Sequence, residues 1–219
     1  MTGSDGIPVG GQVVPMFPLG SVLFPGMPLQ LQVFEERYVR MVEQCLASGS
    51  GFGVVLIERG SEVGGGDVRS GLGTLAVIED TRKFPDGIWS VVARGTRRLR
   101  IIEWLEDAPY PRAVVADWSD EAPSLDPASL VQRCAEQLVT YMRRVTGDSA
   151  PVHIDFSGLS ADSSEAAWQL CSISPIGALD RQKLLASPDP QSRLEILSLL
   201  LIEQQELLDL GGHSSGEFE

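Results

Sequence analysis

Lys83 and Lys183 are the only lysines in this 219-residue chain. A Ser–Lys peptidase needs one of them beside a serine, to take its proton. Lys83 stands at a Pro85-Asp86-Gly87 turn and Lys183 in a short helical stretch of the other half, so no dyad is expected. Gly212-His213-Ser214-Ser215-Gly216 matches G-x-S-x-G, but that motif acts only on a strand-to-helix elbow above a sheet, and here it follows a helical run. Gly64-Gly65-Gly66 is no phosphate loop, because that loop carries a Gly-Lys pair and the chain has no such dipeptide. The reading is a chain without catalysis of its own and without a cofactor.

Metal chemistry is equally poorly supplied. His153 and His213 are the only histidines, and Cys45, Cys134 and Cys171 are far apart within apolar helical patterns. Buried thiols are therefore expected, with neither disulfide nor metal site.

Arg94, Arg97, Arg98 and Arg100 form the one basic cluster, read as a turn and strand start near Gly95. Strand alternation puts Arg98 and Arg100 on one face and Arg97 on the other, so the cluster is split. It is expected to be mostly solvated or ion-paired, with Arg98 and Arg100 as candidate contacts for an anionic or acidic partner. The formal charge of −13 argues against phosphate binding as the main role. It is also uneven: residues 1–118 hold 11 basic and 14 acidic side chains, residues 119–219 hold 6 and 16.

The longest apolar runs, residues 53–57 and 197–202, fall far short of the roughly 20 residues a membrane span requires. The first six residues, Met1-Thr2-Gly3-Ser4-Asp5-Gly6, lack a basic and apolar leader. A cytoplasmic location is expected.

The elements that must position any site divide into a β-rich part and a helical part. Short apolar or alternating runs at 12–17, 29–34, 52–57, 72–78, 88–93, 97–105 and 112–118 read as strands, with Pro15, Pro18, Pro25, Gly26 and Pro28 marking turns and edges. Pro85-Asp86-Gly87 should join two of them as a hairpin. Phe34, Tyr38, Met41, Val42, Cys45 and Leu46 recur at three and four and mark one helix ending before Gly49.

After Trp118 a polar linker leads to helices. Asp126-Pro127 opens the first, with Leu130, Cys134, Leu138, Tyr141 and Val145 on one face. Asp162-Ser163-Ser164-Glu165 has capping-box spacing for the second, and residues 179–186 read as a third. Asp189-Pro190 opens the fourth, with Leu194, Leu197, Leu200, Leu201, Leu207 and Leu208 turned inward until Gly211-Gly212. The expected division is a flexible start at 1–11, a β domain at 12–118, a helical bundle at 119–210 and a disordered tail at 211–219.

The run Phe17-Pro18-Leu19-Gly20-Ser21-Val22-Leu23-Phe24-Pro25-Gly26, followed by Leu29, Val33-Phe34-Glu35 and Arg37-Tyr38, resembles the opening of Lon protease substrate-binding domains, above all the stand-alone proteins of that family. Gly53-Val54-Val55-Leu56, Gly60, Glu62-Val63-Gly64, Gly73-Thr74, Gly95-Thr96-Arg97-Arg98 and Pro109-Tyr110-Pro111 extend the likeness. Arg181-Gln182-Lys183-Leu184-Leu185, Asp189 and Arg193-Leu194 continue it in the helical half.

The resemblance implies an α+β fold, a PUA-like mixed β-barrel followed by a C-terminal helical bundle. It also implies a bacterial, proteolysis-associated adaptor without ATPase or peptidase domains. Such a module would engage unfolded or tagged polypeptide, with a protease or chaperone as a further partner, through apolar surface between the two parts. RNA binding by the PUA-like part is the alternative. Phe84 and Trp89, flanking the Pro85-Asp86-Gly87 turn, are the candidate aromatic contacts, since loop aromatics serve as binding hot spots.

Overall fold

A computed structural model describes residues 11–60, 68–146 and 158–213. His153 and Gly64-Gly65-Gly66 lie outside the described residues, as does most of the Gly212–Gly216 match. The chain divides into two compact units, Met1–Ser119 and Asp120–Glu219.

In the first unit six strands and one helix run in the order β1 (Gln12–Leu19), β2 (Pro28–Val33), α1 (Glu36–Ser48), β3 (Phe52–Arg59), β4 (Val68–Lys83), β5 (Trp89–Leu105) and β6 (Arg112–Asp117). The sheet order is β2-β5-β4-β3-β1-β6, and β6 also pairs with β5. Five strands thus form a closed circuit of pairings, and β2 stands outside it on the first half of β5. β1 and β3 are parallel, while the other pairings are antiparallel.

Alternation sends each strand's apolar residues to two cores. Val14, Met16, Val55, Leu75, Leu99, Ala113 and Val115 form one. Phe17, Leu19, Val54 and Ala93 join the buried face of α1, Tyr38, Met41, Val42 and Cys45, in the other. Within that second core Phe17 stacks on Tyr38 with ring centroids 4.2 Å apart. β3 is buried on both faces, which explains its unbroken apolar run. Helix α1 ends where expected, because Gly49 takes the left-handed conformation at φ +66°.

Two expectations fail here. Phe34 and Leu46, placed on the buried face of α1, are exposed. Phe34 precedes the helix, which starts at Glu36, so the helical period does not apply to it. Residues 88–93 and 97–105 are not separate strands with a turn at Gly95, but one strand, β5. The glycine serves close approach instead. A Cβ at Gly95 would stand 2.3 Å from the Phe24 carbonyl oxygen, and Gly95 exchanges main-chain hydrogen bonds with Gly26 (2.8 Å) and Met27 (2.9 Å). That loop is itself a tight turn. Met27 N donates to Phe24 O at 3.1 Å and Gly26 has φ +79°, as Pro25-Gly26 at the two central positions requires. Phe17, Val22, Leu23 and Phe24 are all buried, so the opening motif builds core.

The second unit contains α2 (Ala128–Thr146), α3 (Ser163–Ile173), α4 (Ala178–Leu185) and α5 (Pro190–His213), with α5 packed against the other three. Side-chain caps fix the starts. Asp126 accepts from Ala128 N at 3.0 Å, Asp162 from Ser164 N and Glu165 N, and Asp189 from Ser192 N at 2.9 Å. The reciprocal arm of the expected capping box is rerouted, since Ser160 Oγ accepts from Asp162 N and donates to Glu165.

Leu194, Leu197, Leu200 and Leu201 are buried, whereas Leu207 and Leu208 are exposed and Val145 on α2 is too. Both helices keep their apolar pattern beyond the point where the other elements of the unit cover them. Helix α5 also runs through Gly211 and Gly212 to His213 rather than stopping at the glycine pair. Among the described residues no helix is long and apolar enough to cross a membrane.

Candidate functional site

The β4–β5 hairpin carries the aromatic candidates. Its tip is closed by Phe84 N donating to Ile88 O at 2.8 Å and Gly87 N to Phe84 O at 3.0 Å, with Gly87 at φ +87°. Asp86 accepts from Ile88 N at 3.1 Å, as an acid in a tight turn does. Phe84 is half-buried with the Arg82 guanidinium 5.2 Å from its ring centre, and Trp89 is half-buried with Lys83 Nζ 5.1 Å away. Trp89 packs against the α1 core, and its indole N–H finds no acceptor among the described residues. The two aromatics are thus flanked by cations, and Lys83 is in turn held by Glu43 at 3.3 Å.

The arginine cluster is shared out among different partners. Arg94 pairs with Glu79 at 2.6 Å and Arg97 with Asp117 at 2.7 Å. Arg98 and Arg100 lie on the same ring, with guanidinium carbons 4.1 and 5.0 Å from the centre of Trp118. Arg98 is only 3% exposed, whereas Arg100 is exposed. Of the two candidate contacts only Arg100 presents its charge to solvent. Arg98 supports Trp118 from the interior through a cation–π contact and accepts Trp118 N on its main-chain oxygen at 3.0 Å.

A second buried arginine, Arg193 in the helical unit, was singled out only as part of a sequence likeness. It is fully buried, pairs with Asp120 at 2.6 Å and stacks 3.3 Å over Trp168. Its setting is internal to the unit. The three thiols are buried as well. Burial raises all three, Cys134 to about 11 and Cys171 to about 12, so at neutral pH none offers a thiolate to a metal or substrate. Among the described residues no three His, Cys, Asp or Glu side chains cluster to hold a metal ion.

The feature that sequence reasoning missed is a cleft of about 240 Å³ between the end of β1 and β2. Phe17 and Leu19 form one wall, Leu31 and Val33 the other, with Tyr38 and Phe34 at one end. Its signal was the pair of prolines, Pro25 and Pro28, that isolates β2 as an edge strand. What lies across from that edge is settled only by the strand order.

A family model described as the ATP-dependent protease La (LON) substrate-binding domain matches residues 13–203. The chain belongs to this family. It is 28% identical over 213 residues to Lon protease 2 of Herpetosiphon aurantiacus, covering 94% of this chain and 26% of that protein. With the Lon protease of Syntrophus aciditrophicus it shares 27% over 209 residues, 91% of this chain and 26% of the relative. The chain therefore spans about a quarter of the length of these relatives.

A crystal structure of a Lon N-terminal domain protein from Xanthomonas campestris superposes with a TM-score of 0.63 at 29% identity, covering 85% of this chain and 96% of that one. The N-terminal domain of a Mycobacterium avium complex Lon protease gives 0.59 at 21% identity, over 85% of this chain and 96% of that one, and shares the fold. The expected mixed α+β fold of a Lon N-terminal domain is thus observed.

Proposed function

We propose that this protein is a non-catalytic recognition module that binds unfolded or tagged polypeptide, and that it serves as a cytoplasmic adaptor for a protease or chaperone. The observation that carries this reading is the match of residues 13–203 to the substrate-binding domain of Lon proteases. In this reading the circuit of strands is a PUA-like barrel and α2 to α5 a helical bundle, and polypeptide contacts the β unit where apolar surface is open to solvent. Phe84, Trp89 and Arg100 are candidate contacts at the hairpin, with Arg98 holding Trp118 behind Arg100.

Calorimetric titration of the full chain with reduced, carboxymethylated α-lactalbumin, an unfolded polypeptide, tests the reading, with the native protein as control. Binding of the unfolded form alone is expected. Equal affinity for both forms, or for neither, overturns it. Hydrolysis of casein or ATP by the chain overturns its non-catalytic part.

A further inference from the structure

The end strand of the sheet has a property that follows from its register. β2 pairs with β5 from Pro28 opposite Arg94 to Val33 opposite Trp89, without a bulge. Just before β2, Gly26 N donates to Gly95 O at 2.8 Å and Gly95 N donates to Met27 O at 2.9 Å, so Gly26 and Met27 together face Gly95 and Met27 has the phase of a hydrogen-bonded position. In an antiparallel pair such positions alternate. Leu29, Leu31 and Val33 therefore bond to β5, while the N–H and C=O of Gln30 and Gln32 point away from it. Pro28, which has no N–H to offer, falls in the same outward set, where a strand tolerates proline.

Among the described strands nothing pairs with that outward side. The usual protections of an edge are missing too: β2 has no lysine and no bulge, and its one proline is its first residue. Across from this edge lies the cleft walled by Phe17 and Leu19. Phe34, 63% exposed, continues its apolar lining beyond Val33. Among the described residues the one charged side chain lining the cleft is Glu35, already engaged by Arg37 at 3.0 Å.

We propose that the outward edge of β2 takes an extended, uncharged stretch of polypeptide as an added strand. Its main chain pairs with Gln30 and Gln32, and its alternate side chains enter the cleft against Phe17, Leu19 and Tyr38. The chemistry of the edge and the cleft selects this occupant. Unpaired main-chain donors and acceptors are matched by a strand, whereas a helix has spent its own on itself. Apolar walls with no free charge disfavour an acidic or basic segment. Main-chain pairing reads extension rather than sequence, which suits an unfolded chain. The proposal rests on the polypeptide-binding reading and locates its site.

The test uses the full chain, carboxymethylated α-lactalbumin and a blocked nonapeptide of alternating valine and serine. Gln32→Pro deletes one outward N–H and leaves the bonds to β5 in place. It is expected to keep the wild-type unfolding midpoint and to weaken binding of both probes at least tenfold. N-methylation of alternate amides in the nonapeptide provides a second measurement on the unmutated protein. Methyl groups in one frame should leave binding unchanged and in the other frame weaken it at least tenfold, because an added strand uses one edge only. This decides the matter even if Gln32→Pro does not fold. Should wild type bind α-lactalbumin while Gln32→Pro binds it equally, or while both methylated frames bind alike, the edge site is wrong and polypeptide recognition stands. If wild type binds neither probe, both fall.

Discussion

The two units dispose of their polar main chain in opposite ways, and each is left with a different surplus. In the helical unit every helix satisfies its own interior, and Asp126, Asp162 and Asp189 satisfy three of the four helix starts. What remains outside is side-chain surface such as Leu199, 62% exposed, and Leu207. In the β unit two cores take the buried apolar side chains, single residues such as Phe34 and Leu46 stay exposed, and the surplus peculiar to this unit is main chain, on β2. Surplus leucine surface recruits by area alone, whereas surplus main chain recruits by direction.

The largest expected effect that sharpens this contrast is on the charge buried in the helical unit. Arg193→Ala removes the guanidinium from Asp120, which keeps its hydrogen bond from Ser164 Oγ at 3.0 Å, and the stacked cation from Trp168, and should cost about 3 kcal/mol, read as urea unfolding followed by helical circular dichroism. A loss under 1 kcal/mol would mean that apolar packing alone holds α5.

Next comes the crossing in the β unit. Gly95→Ala pushes a Cβ against the Phe24 carbonyl, 2.3 Å away, and should cost about 1–3 kcal/mol. Unchanged thermal stability would show that the loop is not pinned there.

A smaller effect is expected at a cap. Asp189→Ala should cost about 1 kcal/mol at neutral pH. Burial pushes the Asp189 carboxyl up, but hydrogen bonds from the Ser192 hydroxyl and main chain outweigh it and hold the carboxyl below its ordinary value. A carboxyl lowered on folding adds stability above its unfolded value and loses it as pH falls towards the folded one. The difference between variant and wild type should therefore be full at pH 7 and vanish in strong acid, and a difference that grew on acidification would contradict the cap. The smallest effect belongs to surplus side-chain surface: Leu199→Ala should change unfolding by no more than about 0.5 kcal/mol, and a larger loss would show that this leucine is covered in solution.

Features written locally in the chain were legible. Asp126-Pro127, Asp162 and Asp189-Pro190 mark real helix starts because a cap bonds within three residues of itself. Pro85-Asp86-Gly87 marks a real hairpin for the same reason. Gly95 was misread because a turn and a close approach call for the same residue, and only the distant Phe24 carbonyl distinguishes them. Leu207, Leu208 and Val145 were misplaced because helical period says which face is apolar, not how far a neighbour extends along it. Alternation put Arg98 and Arg100 on one face, but neither the Trp118 ring that both meet nor the burial of Arg98 could be read from it. The cleft was invisible for a topological reason, as its two walls come from strands that never pair.

The circuit of pairings also sets an order of events. β1 and β6 are the first and last strands of their unit, yet Gln12, Val13, Val14 and Pro15 pair with Val115, Val114, Ala113 and Arg112. During synthesis β1 must wait, unpaired along that edge, until nearly the whole unit has left the ribosome, whereas β4 and β5 can meet through their tight hairpin as soon as both exist. Contacts so distant along the chain form slowly. The nascent β unit thus passes through an interval in which it is itself an unfolded polypeptide with open strand edges.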